Sequence, residues 1–374
     1  MERSDVLIVG GGPAGSTCAR QLRQAGLEVA VIDKAGFPRD KTCAGWVTPA
    51  VVESLGLDIE DYRQGRVFQP IDSFRTAMMG GPLVYTEYAA PVSYGIRRCE
   101  FDDYLLQRSG AQLHLGQPVK SIRHEDGLWR INDAFEAPLL IGAGGHFCPV
   151  ARHLGAKLGA GEVVVAAKEV EFEMTPEQAR ACRVEPETPE LYFCEDLTGY
   201  GWCFRKGDYL NIGLGREDNH QLGDHVQRFL DQLVEQGRVP ADVSRHFKGH
   251  AYLLYGHAPR RRVADGVLLI GDAAGLAYPQ SGEGIRPGVE SALLAARTVL
   301  AANGDYCADN LRPYDRDLKA RLGDEDGGGA AAWLPEGPKQ FVAARLLASR
   351  WFSRHVVLDR WFLHRQQPAL PVNG

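Results

Sequence analysis

The chain has no apolar run approaching the ~20 residues that a membrane-spanning helix needs, although 44% of its 374 residues are hydrophobic. It also lacks an excess of positive charge. Its 42 Lys and Arg stand against 48 Asp and Glu, a formal net charge of −6. That balance argues against nucleic acid as a partner, because such chains carry a basic footprint. The eight cysteines form no C-x-x-C pair, and the histidines are dispersed without ligand spacing. Neither a disulfide framework nor a metal centre is therefore expected. No targeting segment precedes the first strand signal, no internal repeat occurs, and nothing sets an oligomeric state. The expectation is a cytoplasmic protein with reduced thiols and room for two interleaved domains with a tail.

What is present begins at once. Asp5-Val6-Leu7-Ile8-Val9 is an apolar strand running into Gly10-Gly11-Gly12-Pro13-Ala14-Gly15, the G-x-G-x-x-G pattern of a dinucleotide site. Gly10 suits the tight turn, Gly12 the approach of backbone to pyrophosphate, and Gly15 the contact between helix and strand. A helix opening at Pro13 and Ala14 aims free N–H groups and its positive end at a phosphate. A second strand, Val29-Ala30-Val31-Ile32, ends in Asp33, where an acid accepts hydrogen bonds from a ribose. Lys34 stands next to it, near the same sugar or the pyrophosphate.

A second signal of this kind lies about 260 residues later. Val267-Leu268-Leu269-Ile270 runs into Gly271-Asp272, followed by Gly282-Glu283-Gly284-Ile285. Two such signals in this order suggest one long cofactor held at both ends, which points to FAD. Here the chain resembles the geranylgeranyl-reductase-like flavoproteins, which are related to para-hydroxybenzoate-hydroxylase-type enzymes. The resemblance implies that Asp272 bonds the ribityl chain and that Gly282, Gly284 and Ile285 present N–H groups to the flavin edge. A helix start there would stabilise the negative charge of a reduced ring.

Smaller stretches extend the resemblance. Lys41-Thr42-Cys43-Ala44-Gly45-Trp46 is similar to the family loop that approaches the flavin, with Ala44 where a glycine is usual. It implies Cys43 as a catalytic proton donor, with Gly45 and Trp46 on the substrate side. Tyr200-Gly201-Trp202-Cys203-Phe204-Arg205 resembles the family's Tyr-x-Trp-x-Phe-Pro floor of the substrate cavity, with Arg205 in place of proline. Tyr200 and Trp202 would flank a hydrophobic small molecule. Arg98, three residues before Phe101-Asp102, matches a family arginine that touches the cofactor.

The implied fold is α/β: a discontinuous Rossmann-like FAD-binding domain (1–65, 97–155 and 256–315), an inserted sheet-rich substrate domain (66–96 and 156–255), and a C-terminal loop and helices (316–374). Val163 to Met174 alternates, with Glu169, Glu171 and Glu173 on one face and Val170, Phe172 and Met174 on the other, as a half-buried strand requires. Gly323 to Pro338 reads as a linker, and Phe341 to His364 as a helix pair. The aromatic and basic tail packs on the body, with weak membrane-surface contact as a second reading.

The implied activity is reduction of carbon–carbon double bonds in an isoprenoid-like substrate, with NADPH or NADH as electron donor. Two alternatives are a monooxygenase acting on an aromatic or polyketide-like compound and a non-catalytic flavin redox sensor. Gly144-Gly145 stands where the hydroxylases carry Asp-Gly, which weakens the first. Halogenation is disfavoured: no lysine occurs between Lys41 and Lys120, and the Trp-x-Trp-x-Ile-Pro signature is missing.

Overall fold

The computed structural model describes residues 1–157, 162, 164–218, 220–257, 260–323 and 336–371. Most of the expected linker, 324–335, and Val163 lie outside them.

The apolar run Val6–Val9 is buried along its whole length, because it sits at the centre of a parallel sheet covered on both faces. It pairs with Val29–Ile32 on one side and Leu139–Gly142 on the other. Gln112–His114 extends the sheet beyond the former, and Val267–Leu269 beyond the latter. A short antiparallel strand, Val263–Ala264, closes that edge. Helices Pro13–Gln24 and Ile285–Ala301 pack on each other in the same core, to which a small four-stranded sheet adds Trp129, Ile131 and Phe135.

A second sheet has seven strands, in the order Lys248–Leu253, Val164–Glu173, Tyr209–Arg216, Gly199–Lys206, Glu190–Phe193, Ser73–Met78 and Val84–Glu87. Strand alternation gives it two different faces. Cys203, Ile212 and Leu214 meet the amphipathic helix Leu222–Glu235 through Val226, Phe229 and Leu230. Trp202, Phe204 and Ala167 turn the other way.

Here the alternation of Val164–Glu173 acquires a meaning that spacing did not give. A half-buried strand normally leaves its charged face in water, but Glu169 is only 6% exposed. That face looks across at the loop carrying Cys43. Of the two carboxylates of its inner half, Glu169 bonds that loop directly, and Glu171 holds Asn211 and Lys206 beneath it.

The C-terminal part is helical, as Glu336–Leu347 and then Arg350–Phe352 running into a π-helical stretch, Ser353–Phe362. The wider turn is seen in Leu363 N–H donating to Leu358 O at 2.8 Å. This stretch buries Val357, Leu358 and Phe362 against Trp46 and Phe74. The following residues are latched by Arg286, which is fully buried. Its Nε donates to Glu290 Oε1 at 2.8 Å and its Nη2 to Gln367 O at 2.8 Å. Arg321 reaches the same Glu290 and also Pro368 O, both at 2.6 Å. Removing Glu290 would leave the buried Arg286 without a counter-charge, a change that typically costs about 3–5 kcal/mol. No described helix is long and apolar enough to cross a membrane.

Candidate cofactor and substrate cavity

One cavity of about 810 Å³ runs from the glycine turn of the first strand to the inner face of the seven-stranded sheet. That is near the top of the ~300–1,000 Å³ range of ligand sites. Every residue singled out from the sequence lines it except Gly15. Gly15 serves the turn from behind: a Cβ there would stand 1.9 Å from Gly10 O, so only glycine lets the helix sit this close to the strand. Gly10 has φ +114°, and a Cβ there would fall 2.4 Å from Ala143 O.

The rest of this end fits a pyrophosphate and a ribose. The helix Pro13–Gln24 has no side-chain cap, no acidic residue in its first turn, and proline at its start, so its first N–H groups stay open to an anion. Asp33 is fixed by accepting from Gly11 N at 2.7 Å and Ala35 N at 2.9 Å, which leaves lone pairs for sugar hydroxyls. Lys34 lines the same end. Arg98 is buried and makes two 2.8 Å bonds to Asp102. Arg39 pairs with the same Asp102 at 3.3 Å, so the three groups bring one net positive charge to the cavity.

At the middle of the cavity, Asp272 follows the strand Val267–Leu269. Burial pushes its carboxyl up, but His250 and the charge of Lys41 outweigh this and bring it down to about 2. Burial lowers Lys41 to about 8. The amine stands 2.8 Å from His250 Nε2 and 2.9 Å from its Nδ1. Gly284 caps Ile285–Ala301 without a side-chain bond, presenting a second uncapped helix start to the cavity. These residues fit FAD: two helix N-termini, an anchored acid after the second strand, and a deep carboxylate between them.

Beyond them the wall turns apolar. Trp46 stacks on Phe204 at 5.5 Å and meets Phe362 at 5.6 Å. Tyr200 lies 5.2 Å from Phe362 and donates its hydroxyl to Ser281 O at 2.5 Å. Trp202 Nε1 donates to Asn211 Oδ1 at 2.7 Å. The indole N–H of Trp46 is buried without an acceptor.

Cys43 sits where the two regions meet, on a loop gripped from below. Its N–H donates to Glu169 Oε1 at 2.8 Å, and its carbonyl accepts from Asn211 Nδ2 at 3.1 Å. Asn211 also donates to Glu169 Oε2 and Glu171 Oε1, at 3.1 and 3.2 Å. Lys206, buried under the same loop, pairs with Glu171 at 2.6 Å and donates to Ile96 O at 2.9 Å. Burial raises Glu169 to about 7, against the opposing pull of the Cys43 N–H and Lys206.

The chain matches the FAD dependent oxidoreductase family over residues 5–70. Over 328 residues it is 30% identical to the menaquinone reductase of Mycobacterium tuberculosis, covering 80% of this chain and 77% of that one. The chain belongs to the geranylgeranyl-reductase-like family of FAD-dependent oxidoreductases. This family member is also 28% identical over 345 residues to digeranylgeranylglycerophospholipid reductase 1 of Methanothermobacter thermautotrophicus, covering 86% and 83% of the two chains. Its fold is that of the geranylgeranyl bacteriochlorophyll reductase-like protein of Thermoplasma acidophilum, with TM-score 0.72, 22% identity, and coverage of 93% and 88%. The fold is shared with the halogenase PltM, at TM-score 0.73 and 18% identity, covering 97% and 82%. The reductase-like chain is thus an FAD-dependent oxidoreductase.

Sequence reasoning missed several residues that line this family member's cavity or support its Cys43 loop. Glu169 and Asn211 carried a signal, since both stand on the strand faces opposite Val170 and Ile212. Phe362 carried none, because only tertiary packing brings the tail to the cavity. Glu283, between two predicted glycines, was passed over. Neither of its carboxyl oxygens has a hydrogen-bond partner, and burial pushes it up to about 8 against the pull of Arg286.

Proposed function

We propose that the protein reduces carbon–carbon double bonds of a hydrophobic, isoprenoid-like substrate. The observation that carries this is the thiol of Cys43 at the junction between the FAD-fitting end of the cavity and its aromatic end. The names of the relatives support the substrate class. Reduced FAD, when bound, supplies a hydride to one alkene carbon, and the second carbon must then receive a proton.

In this reading Gly10, Gly12, Pro13, Ala14, Asp33 and Lys34 hold the dinucleotide end. Gly271, Asp272, Gly282, Gly284 and Ile285 hold the ring end, and Arg98 supports the loop between them. Trp46, Tyr200 and Trp202 with Phe362 exclude water and orient the apolar chain. Cys43 gives its S–H proton to the second carbon and is reprotonated from solvent. Glu169 and Asn211 keep the Cys43 backbone at a constant height above the sheet. The corresponding division of the chain is 1–65, 97–155 and 256–315 for cofactor, 66–96 and 156–255 for substrate, and 316–374 for the tail. Membership of the two large sheets supports it. NADPH or NADH is the proposed source of electrons.

The test is anaerobic reduction of the purified flavoprotein, followed by mixing with a polyprenyl alkene under nitrogen. Return of the oxidised flavin spectrum together with a product two mass units heavier supports the reading. A flavin that ignores the alkene but yields a hydroxylated aromatic product with oxygen refutes it in favour of a monooxygenase. A flavin that the alkene does not reoxidise and that yields no hydroxylated product with oxygen refutes it in favour of a sensor.

A further inference from the structure

Among the described residues, nine large apolar side chains are exposed, and their placement is uneven. Phe341 (62%), Val342 (47%), Leu346 (41%) and Trp351 (66%) lie within eleven residues of one another in the C-terminal helices. Leu83 and Tyr85 belong to the hairpin of Ser73–Met78 and Val84–Glu87. Helix Glu336–Leu347 lies beside the strand Ser73–Met78 of that hairpin, and its Gln340 and Ala344, with Ala348 just beyond its end, line a pocket shared with the hairpin turn. The i,i+4 pairs Phe341/Arg345 and Val342/Leu346 share the opposite side of the helix, which faces outward. Phe341, Val342, Leu346 and Trp351 therefore stand exposed on two consecutive helical segments.

The charge of this C-terminal region differs from that of the rest of the chain. Residues 340–371 contain Arg345, Arg350, Arg354, Arg360 and Arg365 against a single acid, Asp359, within a protein whose formal net charge is −6. Arg345 lies over the Phe341 ring at 5.0 Å, so cation and aromatic form one surface. Arg354 is occupied with Glu87 O and the Tyr88 ring, and Arg365 with Asp359 and Tyr88. Arg345 and Arg350 are exposed on the same two segments. Aromatic and aliphatic side chains framed by arginines suit the headgroup boundary of a bilayer, where rings insert and cations meet lipid phosphates. Aromatic residues and arginine also serve protein interfaces; the five-to-one excess of positive charge in an acidic protein is what favours an anionic surface.

We propose that the outer face of the C-terminal helices, built on Phe341, Val342, Leu346 and Trp351 with Arg345 and Arg350, docks this protein on an anionic phospholipid bilayer. The helical segment that begins with Arg350 and carries Trp351 continues to Phe362, which lines the cavity. The docking face and the cavity wall are therefore parts of one element. This inference does not depend on the reaction proposed above, because docking is read without turnover.

The test is co-sedimentation of the FAD-bound protein with vesicles of phosphatidylcholine, with and without about one third phosphatidylglycerol. The expected result is partition onto the anionic vesicles that weakens as salt is raised, since the Debye length falls. The pair Phe341→Ser with Trp351→Ser should lower partition at least ~tenfold. The pair Arg345→Glu with Arg350→Glu should abolish the preference for anionic lipid. Both variants should keep the wild-type flavin content, since their side chains lie at the surface. Failure to sediment with any vesicle, or binding unchanged in both variants, overturns the proposal. So does a concentration-dependent dimer lost in the Phe341/Trp351 variant, which would assign this face to a second copy.

Discussion

Replacing Glu169 by glutamine removes a titrating group from under the Cys43 loop with almost no change of shape. In the folded protein this carboxyl is raised from the ordinary 4.5 to about 7, chiefly by burial. Between those two values the folded state keeps a proton that the unfolded chain has released. Stability therefore falls as pH rises through that window. The contribution is complete below about 4.5 and lost above about 7. A difference of two to three pH units corresponds to about 3 kcal/mol. Glutamine has no such term, but it brings a separate deficit. Both Glu169 oxygens accept hydrogen bonds, one from Cys43 N and one from Asn211 Nδ2. An amide supplies one acceptor and sets its NH2 against a donor, costing roughly 1–3 kcal/mol at any pH. Glu169→Gln should therefore be less stable than wild type near pH 5 and equal or more stable near pH 8. Urea unfolding of both FAD-saturated proteins, followed by tryptophan fluorescence across this range, measures the gap directly. A gap that stays constant within about 0.5 kcal/mol would refute the assignment of a raised Glu169.

Other substitutions separate chemistry from support. Cys43→Ala should lower the rate of alkene reduction by ~10²–10⁴, the usual worth of a positioned general acid, with FAD content unchanged; turnover at the wild-type rate would remove Cys43 from the mechanism. Asn211→Ala should destabilise by about 2–4 kcal/mol in denaturant melts, because it strips partners from Trp202, the Cys43 carbonyl and two carboxyls. Gly15→Ala should cost about 1–3 kcal/mol and weaken FAD binding in a fluorescence titration, since the helix must lift off the strand to clear Gly10 O. Glu283→Gln should flatten the loss of stability that wild type shows as pH rises from about 4.5 towards about 8, measured by the same urea series.

The cofactor end of the cavity was legible because its constraints are local. A continuous apolar run, a helix start and a glycine at positive φ are set by residues adjacent in the chain. The pattern assigns Gly12 to the approach of a ligand and Gly15 to helix–strand packing; Gly12 lines the cavity and Gly15 packs behind it. Both answer to one pattern, and the difference lies in which way the missing Cβ would point. The support of Cys43 was hidden for another reason. Alternation places Glu169 and Val170 on opposite faces without saying which face meets water. Only the approach of a loop about 125 residues earlier decides that. Phe362 was hidden more deeply, since no period in the tail indicates the distant strand it will meet.

The order of strands in the parallel sheet also bears on how the chain matures. Leu139–Gly142 waits for Val267–Leu269 as its outer neighbour, and that strand leaves the ribosome about 125 residues later. At ~5–20 residues per second this is roughly 6–25 s during which an apolar strand presents an open edge. Five strands of the seven-stranded sheet, Val164–Glu173 through Lys248–Leu253, are made within that interval, so the substrate half is synthesised before the cofactor half is complete. A nascent chain stalled in this window would hold the first glycine turn but lack Asp272. It should depend on holdase chaperones until the second strand arrives.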